Sequence, residues 1–317
     1  MILVIVEAVK SLRNVMELEM TPEVVSAISR STNAEYLLEK SWRDVTWIAF
    51  DTETTGKYPI ESEICEIAAV KWKNGQEIET FQSLMKPSKL MSEEVIRIHG
   101  ISNEMVSTAP SALPVLKHFA EFAEGCVLLA HHAQFDLGFV AAQMDQLEIT
   151  LPPELTICTS LLAQAIVADT PNHRLQTLVA HYGLNPGQAH RALDDARACL
   201  NVALKIFERF SDSETVASLA SRMLRRGSQD LGPMRFGRFS IAELTRQLPM
   251  IQNFVLAARA GRAVELIYRG GSRPGQAREV QPIGVIRQLD GDALVAAERA
   301  EPQQVKRYWV KDVMSIV

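Results

Sequence analysis

Two carboxylates, Asp51 and Glu53, stand two residues apart where the apolar run Val45-Thr46-Trp47-Ile48-Ala49-Phe50 gives way to Asp51-Thr52-Glu53-Thr54-Thr55-Gly56. Such a run predicts a buried strand ending at the polar stretch. The two-residue period of a strand points both carboxylates to one side. Two acids held together repel and desolvate one another unless a cation joins them, and hard cations such as Mg²⁺ or Mn²⁺ take oxygen ligands of this kind. Asp136 adds a third acid. It follows the apolar strand Cys126 to Ala130 through His131-His132-Ala133-Gln134-Phe135, at a helix start near the carboxyl edge of a sheet, where ligands gather in α/β folds. His190 and Asp195 complete the set. Five helical residues turn through about 500°, so the two would lie about 140° apart on one helix. They converge only if His190 sits on the turn after Asn185-Pro186-Gly187 and Asp195 lies inside the helix that follows. Asp194 is the competing acid, read as facing solvent or supporting the site from behind. Singly, each group has a plain alternative, a solvated loop or a helix-capping acid.

These side chains need a scaffold. After the first strand, Ile64 to Lys73 alternates as a second, Asn74-Gly75 marks a hairpin turn, and Glu77 to Met85 makes a third. Further strands are expected at 126–131 and near 155–158, with helices over 92–98, 111–123, 135–146, 159–167, 173–181 and 191–209. Three meandering strands followed by alternating helices and strands predict a mixed-sheet α/β domain over 44–210. Residues 1–43 read as an N-terminal helical arm, with Thr21-Pro22-Glu23 as a helix start and Asn33 as a second cap. At 317 residues, 47% apolar and 22% charged, the chain has room for about two domains and the composition of a folded protein. The apolar run Met1 to Val6 is shorter than a signal-peptide core of roughly 7–15 residues. No run approaches the ~18–20 residues of a membrane span, so a cytoplasmic protein is expected. Cys65, Cys126, Cys158 and Cys199 are too scattered for a zinc site or disulfide framework, and their apolar contexts suit reduced core thiols.

Taken together, the motifs resemble those of the DEDDh exonuclease family, which includes the epsilon proofreading subunit of bacterial DNA polymerase III and ribonuclease T. Phe50-Asp51-Thr52-Glu53-Thr54-Thr55-Gly56 is similar to the first motif of that family and His131-His132-Ala133-Gln134-Phe135-Asp136 to the second. His190-Arg191-Ala192-Leu193-Asp194-Asp195-Ala196 resembles the third, and Ile98-His99-Gly100-Ile101 the segment between. The likeness covers about 45–210, with order and spacing intact. One position departs: His132 stands where the second motif commonly has Asn, which touches hydrogen bonding and substrate positioning rather than metal ligation.

The resemblance implies a ribonuclease H-like mixed sheet and a two-metal hydrolysis of nucleic acid from its 3′ end. It implies Asp51, Glu53, Asp136 and Asp195 as ligands of two divalent cations, Mg²⁺ or Mn²⁺. Asp51 would bridge them, Glu53 and Asp195 would hold the ion that activates water, and Asp136 would serve the leaving-group side. His190 fits the general base, since imidazole titrates near neutrality. Products would be nucleoside 5′-monophosphates. By the same carry-over Thr52, Thr54, Gly56, Ile98, His99 and Phe135 would contact the terminal nucleotide, with turn formation and core packing as their alternative. His118, His131, His173 and His181 are expected in surface or satisfied roles.

The charge is unevenly divided. Residues 222–317 hold 16 Lys and Arg against 9 Asp and Glu, while the rest hold 17 against 29. An acidic half suits metals and a basic half suits a polyanion. Residues 211–249 read as a helical and basic linker, in which Arg235, Phe236, Arg238 and Phe239 suit phosphate contacts with aromatic stacking. Residues 250–317 resemble the small SH3-like barrel called the WYL domain, through Ala263 to Tyr268, Gln281-Pro282-Ile283-Gly284 and Arg307-Tyr308-Trp309-Val310, although Asp292-Ala293-Leu294 stands where the namesake motif would be. Three functions follow in order of preference: a DNA 3′→5′ exonuclease acting on single strands or 3′ ends, an RNA 3′-end trimmer, and a nucleic-acid-binding regulator with a retired nuclease fold. The last predicts eroded acidic ligands, whereas all five catalytic positions are filled. A polymerase partner is left open.

Overall fold

The computed structural model describes residues 34–185, 187–223 and 234–317. The helix start at Thr21-Pro22-Glu23 and the cap at Asn33 lie outside the described residues; residues 34–38 are helical. No helix among the described residues is long and apolar enough to cross a membrane. All four cysteines are free and buried.

The first sheet contains β1 (Trp47–Thr54), β2 (Ile64–Lys73), β3 (Gln76–Leu84), β4 (Val127–Ala130) and β5 (Thr156–Cys158), in the order β3-β2-β1-β4-β5. β1, β2 and β3 pair antiparallel, while β4 runs parallel to β1 and β5 to β4. The mixed α/β sheet expected from the sequence is therefore present. Residue choice explains the order. Trp47-Ile48-Ala49-Phe50 on β1 and all of β4 are buried, as strands covered on both faces must be. Most of β3 is exposed and polar, which suits an edge. Asn74 and Gly75 both take positive φ, the conformation a two-residue hairpin turn demands.

Around this sheet lie α1 (Glu93–His99), α2 (Asn103–Ser107), α3 (Ala112–Ala123), α4 (Gln134–Gln146), α5 (Thr159–Ile166), α6 (Leu175–His181) and α7 (Ala192–Phe207). The long α7 packs on β1 and β2, burying Ala196, Cys199, Leu200, Ala203 and Phe207 at helical spacing. Helix α2 escapes the sequence reading because five residues carry too little period to register. One expectation is corrected: β1 does not stop before the polar motif. It runs on through Asp51, Thr52, Glu53 and Thr54, paired to β2, with a register shift between Glu53 and Thr54. Backbone pairing to a buried neighbour outweighs the polarity of the side chains.

The rest of the chain forms α8 (Val216–Ser221), α9 (Phe236–Phe239), α10 (Ile241–Gln247) and α11 (Met250–Arg259), then β6 (Val264–Tyr268), β7 (Ala277–Gln288), β8 (Gly291–Glu298), β9 (Glu301–Trp309) and β10 (Val313–Ile316). These five strands make an antiparallel sheet ordered β10-β6-β7-β8-β9. Its outer strands do not pair, so the sheet is open where a closed SH3-like barrel was expected. The edge strand β9 is exposed along most of its length and carries Pro302, which has no N–H to offer a closing partner. Helix α11 covers one face, and Ile251, Phe254, Leu266, Val280 and Leu294 fill the core beneath it.

The aromatic residues of the expected linker are corrected as well. Phe236 and Phe239 are fully buried in the first core, where α9 packs on α4. Their i, i+3 spacing places both rings on one helical face, so they are core and not a stacking platform. Arg235 bonds the Pro153 carbonyl and pairs with Glu35, while Arg238 pairs with Asp292 and bonds the Gln288 carbonyl.

Candidate active site

Strand β1 delivers two acids to one place. Asp51 lies opposite Ala68 and Glu53 opposite Glu66 on β2, so both project to the same side. Between them, Thr52 turns to the third acid: its backbone N–H and its hydroxyl both donate to Asp136 Oδ1, at 3.1 and 2.8 Å. Asp136 is buried at 2% exposure in the first turn of α4, where the helix dipole favours a negative charge. A chain separation of 84 residues is thereby closed by one side chain.

The third motif meets the geometric condition its spacing imposes. His190 stands outside α7, with φ of 62°, a left-handed conformation uncommon outside glycine but more accessible to His than to most residues. Its backbone N–H donates to Asp195 Oδ2 at 2.7 Å, and Asp195 itself lies within α7. The left-handed turn brings the imidazole back beside Glu53 and Asp195. Ligand atoms of Glu53, His190 and Asp195 lie within 4.8 Å of one another. Asp194 accepts from the Gln188 N–H at 2.9 Å, bracing the turn from outside.

One residue that supports this arrangement was not among those the sequence singled out. Glu66 on β2 is wholly buried. It accepts from Arg191 Nη2 at 3.0 Å, from the Ala192 N–H at 3.1 Å and from Gln82 Nε2 at 2.9 Å. It therefore caps the start of α7 and pins Arg191, the neighbour of His190. The signal was available: a carboxylate inside the apolar strand Ile64-Cys65-Glu66-Ile67-Ala68-Ala69-Val70 needs buried partners.

Crowding sets the electrostatics. Loss of hydration, then the neighbouring Asp195, Glu66 and Asp136, push the Glu53 carboxyl up to about 8. Burial pushes Asp136 up to about 7 against the opposing Thr52 hydrogen bonds. Asp51 is raised well above the carboxylate range by burial and by Asp136 and Glu53, and burial also raises Asp195. Four acids so placed hold their protons or take up cations. The four carboxylates make an all-oxygen donor set, which fits a hard divalent metal, and the His190 imidazole stands beside it.

Comparison with known proteins decides what this site belongs to. The family model described as "Exonuclease" matches residues 48–203, spanning β1 through most of α7 and all five side chains. Over residues 48–203, then, the chain is similar to this exonuclease family. A DNA polymerase III of the PolC type from Caldanaerobacter subterraneus is 34% identical over 183 residues, 57% of this chain and 13% of that protein. A Mycobacterium tuberculosis protein, named provisionally as a bifunctional exonuclease/endonuclease, is 36% identical over 193 residues, 58% of this chain and 30% of its own. The chain thus spans less than a third of the length of these curated relatives. Among solved structures, exonuclease X with 5′-overhanging duplex DNA is 25% identical, covering 55% of this chain and 98% of its own, with a TM-score of 0.44. The nuclease domain of 3′hExo, a DEDDh member bound to rAMP, is 19% identical over 56% of this chain and 98% of its own, at a TM-score of 0.48.

In the exonuclease domain a cleft of about 570 Å³ opens beside Glu53, and Thr52, Thr54, Gly56, Ile98, His99 and Phe135 all line it. The Thr52 hydroxyl is committed to Asp136 and that of Thr54 donates to the Gly56 carbonyl at 2.7 Å. Ile98 is half exposed and offers the cleft an apolar face. His99 is buried, accepts from the Ile101 N–H at Nδ1, and has its basicity lowered by burial. The bound tautomer carries its proton on Nε2. Of the other histidines, His131 is satisfied by Thr159 and the His173 carbonyl, and burial lowers it to about 4.

Proposed function

We propose that this protein is a metal-dependent 3′→5′ exonuclease that hydrolyses single-stranded DNA or DNA 3′ ends to nucleoside 5′-monophosphates. The observation that carries this reading is the convergence of Glu53, His190 and Asp195 within 4.8 Å beside Asp51 and the Thr52-anchored Asp136. Asp51, Glu53, Asp136 and Asp195 would hold two divalent cations, Mg²⁺ or Mn²⁺. When bound, such ions polarise the scissile phosphate and make water a better nucleophile.

The chain's own groups do the rest. Asp51, two residues before Glu53 on β1, would supply a carboxylate to both ions. His190, exposed on its turn, accepts the proton of the attacking water at its imidazole. Glu66 and Arg191 keep that turn in place. Thr54, Gly56, Ile98, His99 and Phe135 shape the cleft for the terminal nucleotide, with Ile98 and Phe135 against its apolar faces. In the proposed division of the chain, residues 44–210 perform the hydrolysis and 250–317, with their likeness to WYL modules, assist in holding nucleic acid.

The test is degradation of 5′-labelled single-stranded DNA and RNA of equal sequence, with Mn²⁺ or Mg²⁺ and with EDTA. A metal-dependent ladder shortening from the 3′ end, faster on DNA, supports the proposal. Faster loss of RNA would make the protein a 3′-end trimmer of RNA, and binding without degradation would make it a regulator.

A further inference from the structure

The cleft beside Glu53 does not end at the exonuclease domain. It shares Lys57, Tyr58 and Phe135 with a second groove of about 240 Å³, whose far wall is Arg287 and Arg307 of the C-terminal sheet. The two differ in charge. Glu53, Glu61, Glu63 and Glu94 line the cleft, whereas no carboxylate lines the groove. Lys57 and Arg307 are exposed, and among the described residues neither has a carboxylate within salt-bridge distance. Arg287 is committed to Asp292 and to the Ser240 carbonyl.

The two walls are held against each other. Ile60 and Gly284 form an antiparallel bridge. A Cβ at position 284 would come within 2.7 Å of the Pro59 carbonyl and 2.8 Å of Tyr58 Cβ, so only glycine admits this approach. The Leu289 N–H donates to Gln134 Oε1 at 3.1 Å, and Ser240 Oγ to Asp145. The groove is thus a built part of the molecule rather than a chance gap between loops.

We infer that this groove binds the stretch of polynucleotide immediately 5′ of the nucleotide being removed, with Lys57 and Arg307 on its phosphates and Tyr58 against its bases, while Phe135 stands where groove and cleft meet. The inference rests on the exonuclease reading of the cleft. A strand whose 3′ end lies among carboxylates and cations must leave with its 5′ side along a neighbouring surface, and the continuous surface here is basic and flanked by rings, as single-strand binding demands. The basic surplus of the C-terminal half then acts through Arg307, on an exposed edge strand.

The experiment measures KM and kcat on 5′-labelled oligodeoxythymidylates of 2 to about 20 nucleotides, using the full chain, Arg307→Glu, and Arg259→Glu as a like-charge control at an exposed site outside the groove. The inference expects KM for the longest substrate to rise about tenfold in Arg307→Glu. The loss should shrink as substrates shorten, and the log–log salt slope of binding should fall by about 0.7 for the phosphate contact removed. Equal KM at every length in wild type and Arg307→Glu would overturn it. An equal loss in Arg259→Glu would also overturn it, by assigning the effect to net charge. Failure of the wild-type chain to cleave any length with Mn²⁺ would instead sink the exonuclease reading, which separates the two.

Discussion

At the scale of single residues, the site is a set of commitments made by hydrogen bonds. Asp136 is tied to Thr52, Asp195 to the His190 N–H, and Glu66 to Arg191 and Ala192. The His190 imidazole stays exposed beside the acids. His190→Ala should slow turnover about 10²–10⁴-fold, the usual worth of a positioned base, while Mn²⁺ affinity measured by calorimetry changes little. Wild-type turnover in that variant would remove His190 from the base role. Glu66 acts at one remove. Glu66→Gln should lower stability by about 1–3 kcal/mol, because Arg191 and the first amide of α7 lose a charged partner. Its kcat should fall more than its KM rises, since the turn under His190 loosens; a stability loss with kcat unchanged would make Glu66 structural only. The five catalytic candidates were legible because their types and order are chemically demanding. Glu66 was not read because one acid in an apolar strand gives no hint of its partner 125 residues away.

At the scale of elements, strand β1 and the starts of α4 and α7 build the site at the expense of stability. Four carboxylates brought together from three elements are harder to ionise folded than unfolded. The direction is fixed by linkage: their folded pKa values lie above the unfolded range near 4, so their stabilising share is full below about pH 4. It is lost as pH rises through about 7 for Asp136 and about 8 for Glu53. Metal-free protein should therefore melt at lower temperature at pH 8.5 than at pH 6. Mn²⁺ should raise the melting temperature more at the higher pH. Glu53→Gln should flatten the decline, and an unchanged slope in that variant would contradict the crowding described here. The sequence showed where these elements lie but ended β1 too early, since the polarity of Asp51-Thr52-Glu53-Thr54 masks the pairing with β2 that keeps it a strand.

At the scale of the molecule, the two sheets are joined by a fixed contact. Ala142 of α4 and Ile60 beside the cleft both pack with the core of the C-terminal unit. Phe236 and Phe239, which precede that unit in the chain, lie in the core of the exonuclease domain. Cutting the chain near residue 227 would thus strip two buried rings from the first domain, so single substitutions at the groove test the C-terminal half more cleanly than deletion. The charge split pointed to a polyanion-facing half, but composition could not say which cations are spent internally. Arg235, Arg238, Arg278 and Arg287 are all in ion pairs, whereas Arg307 is open. An open sheet rather than a barrel was equally hidden, because closure depends on whether β9 and β10 meet and strand patterns do not record it.

On the proposed reading, the five side chains gathered around β1 cleave a strand from its 3′ end with metal. The most direct measurement is the product released first from uniformly labelled single-stranded DNA, in Mn²⁺, by the wild-type chain and by Asp51→Ala. Nucleoside 5′-monophosphates from the earliest time points, abolished by EDTA and by Asp51→Ala, are the predicted result. Internal fragments appearing before mononucleotides, nucleoside 3′-monophosphates, or full activity in Asp51→Ala would contradict it.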